Sequence, residues 1–178
     1  MKWLTKSKAL PFLLTAFIIL ADQGVKSFIV KNWPDNGRGV FIKDVFNNDI
    51  LWIYHVRNRA IAFSLGNSLP DFIKPALFII VPLVLLGGLV WYYFKSTEIT
   101  RLQRWVLAGI IGGGLGNLID RICRPDGVVD FISVKFYGLF GLTRWPTFNI
   151  ADASVVVSCI ILLISILVIK DPKEGNKG

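Results

Sequence analysis

Four apolar runs constrain this chain more than any other feature. They cover residues 10–30, 72–94, 105–122 and 150–169, and each is near the ~20 residues a helix needs to cross a bilayer. Lipid offers no partner to backbone N–H and C=O groups, so runs of this length and composition fold as spanning helices. A hydrophobic content of 53% and a mean hydropathy of +0.57 agree with an integral membrane protein. The expected fold class is an all-α membrane protein: four transmembrane helices with a small extracytoplasmic β-sheet. A single membrane-embedded domain covers residues 1–178.

The first run follows Lys2, Lys6 and Lys8, as in a secretory signal peptide. No small-x-small cleavage site follows, and the apolar pattern resumes after Asp22, so the span reads as retained. The second contains Pro75 and Pro82 but no ionisable residue past Lys74, and it reads as packing only. The third carries the small-xxx-small pairs Gly109/Gly113 and Gly112/Gly116, which allow close helix approach.

The long connection holds Val40-Phe41-Ile42 and Ile50 to Val56, β-branched and aromatic runs too short to span. They predict a sheet region at about 38–66. His55 reads as a sheet residue rather than a catalyst. Residues 123–147 leave the membrane as an aromatic segment lying at its interface. Cys123 and Cys159 form no CxxC, and no metal site or cofactor is expected.

Charge orients the bundle. The N-terminus, the 95–104 loop and the C-terminal tail hold three Lys or Arg each. The other two loops, 31–71 and 123–147, hold five and three over more than twice the length. The short basic segments therefore face the cytoplasm, with both termini inside. The net charge of +8 sets topology, and no stretch has the layout of a nucleic-acid surface.

This topology gathers the polar residues at the outer end. Asp22 and Lys26 share a helix face at i, i+4. Asn117, Asp120 and Arg121 share another, Asp130 follows just beyond, and Asp152 opens the fourth span. Ionisable groups at this depth are costly unless paired or wet, and their convergence marks a functional site. There is no GxSxG, no Ser–His pair and no metal cluster, so hydrolysis would fall to carboxylates. Two neighbouring carboxyls share a proton: the ionised one takes a proton from water, and its partner donates to a carbonyl oxygen. The residues alone leave open which two acids form that pair. A small proton-coupled membrane carrier or channel subunit is the alternative, but an acid relay should reach both faces.

Asp22-Gln23-Gly24-Val25-Lys26, Asn58 to Gly66, Gly112 to Arg121, Val129-Asp130-Phe131 and Phe148-Asn149-Ile150-Ala151-Asp152 resemble, in order, the motifs of lipoprotein signal peptidase, or signal peptidase II. The resemblance implies an aspartic endopeptidase of the bacterial cytoplasmic (inner) membrane, with Asp130 and Asp152 catalytic. It implies supporting or substrate-contacting roles for Asp22, Lys26, Asn58, Asn117, Arg121, Asn149 and Ala151. The implied substrate is a diacylglyceryl-modified prolipoprotein cut just before its lipobox cysteine, with membrane lipids around it and globomycin as a family inhibitor. A monomer is expected. One departure stands out. The family usually has glycine two residues after Asn58 and a small or polar residue between, whereas this chain has Arg59-Ala60. The alanine costs backbone freedom and the arginine adds charge.

Overall fold

The computed structural model describes residues 6–35, 37–58, 70, 73–124 and 126–168. Among these residues, after a short helix α1 (Lys6–Ala9), four helical stretches are long and apolar enough to cross a membrane. They are α2 (Phe12–Asn32), a π-helical turn Ala76–Ile80 running into α3 (Val81–Lys95), α4 (Arg101–Cys123) and α5 (Ile150–Val168). All four expected spans are present. The third begins earlier than its apolar run because Thr100 caps it. The Thr100 hydroxyl accepts from the backbone N–H of Gln103, whose side chain accepts from the N–H of Thr100.

Helix α4 is the centre of the bundle. It packs on α2, α3 and α5, and it buries glycines where its neighbours come closest. A methyl group built on Gly113 would overlap the Ala151 carbonyl oxygen and lie 2.7 Å from Val155. One on Gly112 would lie 3.1 Å from the Thr15 backbone. These glycines hold α2 and α5 against α4 at backbone distance. Outward-facing side chains such as Phe17, Leu20, Val84, Leu85, Ile164 and Leu167 are exposed, as expected for surfaces that face lipid rather than water.

Among the described residues the sheet has three antiparallel strands in the order β1 (Val40–Asp44), β2 (Leu51–Asn58) and β3 (Val128–Val134). The first two fall inside the expected region. The third does not: β3 comes from the 123–147 segment, read from its aromatic content as interfacial. Val128-Val129-Asp130-Phe131 is buried on both faces, so it lacks the alternation that announces a strand. The chain then folds back along β3, with Trp145 N–H bonded to Val134 O and Phe148 paired with Ile132. Arg144 clamps this return. It donates to the Ser133 hydroxyl and carbonyl and to Asp49, and it lies 3.8 Å over the Trp52 ring.

His55 is a buried sheet residue, its Nδ1 2.6 Å from the Trp33 carbonyl oxygen. Arg59, Ala60 and the rest of 59–69 lie outside the described residues, as do the ends of the second and fourth expected spans.

Candidate active site

The C-terminal ends of α2 and α4 and the start of α5 meet the sheet around two linked polar clusters. The first is built on Lys26, which is wholly buried. Its ammonium lies 2.7 Å from Asp22, 2.9 Å from Asp120 and 3.1 Å from Asn117 Oδ1. The Asp22–Lys26 pair follows from helical spacing, but Asp120, reached from another helix, does not. Asp120 is also buried. It pairs with Arg124 one turn on and accepts from Gln23 and from the Val129 N–H of β3. Two carboxylates and two cations balance in a setting where an unpaired charge is expensive. The second oxygen of Asp22 accepts from the Ala151 N–H, satisfying one of the free donors at the start of α5. Ala151 thus enters the site through its backbone, and its methyl is buried against Gly116.

The second cluster is built on Asn149. Its side chain accepts from the Asp152 N–H at 2.9 Å, and Asp152 accepts from the Asn149 N–H at 3.1 Å. This reciprocal cap at the start of α5 locks the Asp152 carboxylate in place. The Asn149 amide also donates 2.7 Å to Asp130 Oδ1 and 3.1 Å to Asn117 Oδ1. Asn117 in turn donates 2.7 Å to Asp152 Oδ1. Asn58, at the end of β2, donates 3.0 Å to the other oxygen of Asp130, which the β2–β3 register places nearby. One asparagine therefore bridges both carboxyls, a second holds Asp152, and a third holds Asp130. The Asn117 amide can point only one way, because its oxygen faces the Lys26 ammonium. The two clusters are thereby joined.

Asp130 and Asp152 line one cleft of about 420 Å³ with Asn58, Asn117, Arg121 and the segment Trp145-Pro146-Thr147-Phe148. Val155 and Val156 extend its wall down α5. Arg121 donates to the Asn58 carbonyl oxygen at 3.4 Å and lies 5.0 Å over the Phe78 ring. Burial, and then the charge of Asp152, push the Asp130 carboxyl up to about 7. Among the described residues no group of three or more His, Cys, Asp or Glu could hold a metal ion.

Every site residue expected from sequence lies in this connected region. Five contributions were not read there. Gln23 and Arg124 complete the Lys26 cluster, and Arg124 was signalled by its i+4 spacing from Asp120. The Asn149-x-x-Asp152 cap was signalled by its spacing ahead of an apolar run. The 145–148 wall depends on a backbone return with no local signature. Phe78 brings the second span, read as packing only, into the site.

A membrane helix bundle with buried carboxyls opening on a cleft at one end is the architecture of a membrane-embedded enzyme. The fold matches a bacterial membrane enzyme solved by the in meso method at 1.9 Å, with TM-score 0.72 and 27% identity over 91% of this chain and 95% of that one. A second such structure, at 2.3 Å, matches with TM-score 0.70 and 28% identity over 89% and 88% of the two chains.

Residues 14–168 match the family model described as signal peptidase (SPase) II. The lipoprotein signal peptidase of Treponema pallidum (strain Nichols) is 44% identical over 95% of this chain and 88% of its own. That of Treponema denticola is 46% identical over 85% and 84% of the two chains. The Borreliella burgdorferi protein (strain B31) of the same name is 39% identical over 86% of each. The chain belongs to the signal peptidase II family, and its function is that family's peptidase function rather than a carrier's.

Proposed function

We propose that the protein is an aspartic endopeptidase that cleaves diacylglyceryl-modified prolipoproteins before the lipobox cysteine, with Asp130 and Asp152 as its catalytic dyad. The observation that carries this reading is the shared grip of Asn149 on both carboxyls at the mouth of one cleft. Two carboxyls held this way, one buried with its titration near neutrality, support a pair that shares a single proton.

In this reading Asp130 holds the proton at rest and Asp152 is ionised. Asp152 takes a proton from a water molecule as that water attacks the scissile carbonyl carbon. Asp130 donates its proton to the carbonyl oxygen as the tetrahedral intermediate forms. Collapse of the intermediate breaks the C–N bond, and the leaving amine takes the proton that Asp152 had accepted. Asp130 regains its own proton from the collapsing hydroxyl, so the dyad returns to its starting state. Asn117 and Asn149 keep the carboxylates oriented, and the buried Lys26 cluster fixes Asn117. The fork of Arg121 suits a carbonyl or ester oxygen of the substrate. The valines running down α5 suit the apolar signal helix and the acyl chains.

Charge asymmetry between the loops supports an active site on the extracytoplasmic face, where prolipoproteins arrive. The direct test is incubation of purified protein with a lipid-modified prolipoprotein, with product masses read by mass spectrometry. A mass matching cleavage immediately before the modified cysteine is expected. Cleavage elsewhere, or equal cleavage of unmodified precursor, would refute the proposed specificity.

A further inference from the structure

Phe78 is buried in a turn whose neighbours Leu77, Ile80 and Val81 are exposed. The turn is not α-helical: the N–H of Val81 bonds to the carbonyl of Ala76, five residues back. The cause lies just downstream. Pro82 has no N–H to give the Phe78 carbonyl, and its ring would collide with that carbonyl in an α-helix. Widening the turn to i→i+5 relieves both problems and rotates the residues ahead of Pro82 relative to α3. The face of the Phe78 ring then meets the Arg121 guanidinium 5.0 Å from its centroid. Arg121 is the cation that lines the cleft beside Asp130 and Asp152.

We propose that Phe78 is a positioning residue for Arg121, presented by the π-helical turn that Pro82 imposes, and that through it the second span takes part in substrate recognition. The proposal rests on the peptidase reading of the cleft. An aromatic ring holds a guanidinium by its flat face and leaves hydrogen bonding to the N–H edge, so positioning and contact with a substrate oxygen do not compete.

The test is a double-mutant cycle in detergent-purified protein, with kcat, KM and Tm measured for Phe78→Leu, Arg121→Gln and the double variant. Phe78→Leu should lower kcat/KM about tenfold, in line with a partly buried cation–π contact. In the Arg121→Gln background the same change should have almost no effect, because the contact is already gone. Phe78→Trp keeps a π face and should hold most of the activity. Should Phe78→Leu fold poorly, Phe78→Met takes its place in the cycle. Additive losses, or a Phe78→Trp variant as impaired as Phe78→Leu, would overturn the proposal. The same cycle on Tm reads the coupling without cleavage. A wild type that cleaves nothing but couples in Tm counts against the peptidase reading, whereas absence of coupling in both cycles counts against the role of Phe78.

Discussion

Each carboxyl of the proposed dyad is held by asparagines, and that determines what single substitutions should do. Asp130→Asn and Asp152→Asn keep shape but remove the proton that must be exchanged. Each should abolish kcat while leaving binding of lipid-modified substrate nearly intact, because binding draws on acyl chains and an apolar helix. Turnover assays with a parallel binding measurement check this, and residual wild-type-like cleavage in either variant would refute the assigned pair. The pH profile follows from Asp130, whose carboxyl titrates at about 7 through burial and the charge of Asp152. In the proposed mechanism the form required for donation is the protonated one, populated below that pH. Cleavage should therefore fall as pH rises through about 7, and a profile flat from about pH 6 to 9 would remove Asp130 as the proton donor. Arg121→Lys keeps the charge but loses the fork and the broad, delocalised cation over the Phe78 ring. It should be impaired at least about tenfold in kcat/KM, whereas an unimpaired lysine variant would reduce Arg121 to a bulk positive charge.

The helices were legible in the sequence because lipid leaves so few choices for a long apolar run, and the gathering of the polar residues at one end followed from the alternating direction of four spans. The strand β3 was not, since a segment buried on both faces loses the alternation by which strands are read. The wall at 145–148 was hidden for a related reason: it is held by single bridges and by the Arg144 clamp rather than by a local pattern. Packing between elements was half visible. The small-xxx-small pairs of α4 predicted close approach, but only the fold shows which glycine has no room. Gly113→Ala would drive a methyl into the Ala151 carbonyl and Val155, pushing the start of α5, and Asp152 with it, away from Asp130. The expected cost is about 1–3 kcal/mol of stability with a larger proportional loss of activity. Gly87 and Gly88 in α3 have nothing within 4 Å of an added methyl, so alanine there should leave Tm and turnover near wild type. Equal tolerance at Gly113 would mean that α5 is not set by its contact with α4.

One charge-balanced cluster ties three helices and the sheet together at the end of the bundle that carries the cleft. Helical spacing showed Asp22 with Lys26, which alone would suggest a modest pair at a membrane edge. The fold adds Asp120 from α4, Arg124 beyond it, the α5 backbone through Ala151 and the β3 backbone through Val129. Removing Lys26 therefore leaves two carboxylates with one remaining cation, in a place where neither carboxylate reaches water. Lys26→Met should cost about 3–5 kcal/mol, far more than an exposed i, i+4 pair, and should lower activity by freeing the Asn117 amide. The sign of the next step separates charge balance from packing. If balance dominates, neutralising one carboxylate as well should recover stability, so Lys26→Met/Asp22→Asn should melt above Lys26→Met even though it carries one more substitution. The amide introduced by Asp22→Asn retains an oxygen to accept from the Ala151 N–H, so the start of α5 keeps its partner. Tm in detergent at low and moderate salt is the measurement. A double variant that melts below the single one would mean that Lys26 acts through the space it fills and the bonds it donates. The buried charges would then be incidental to how this end of the bundle is held.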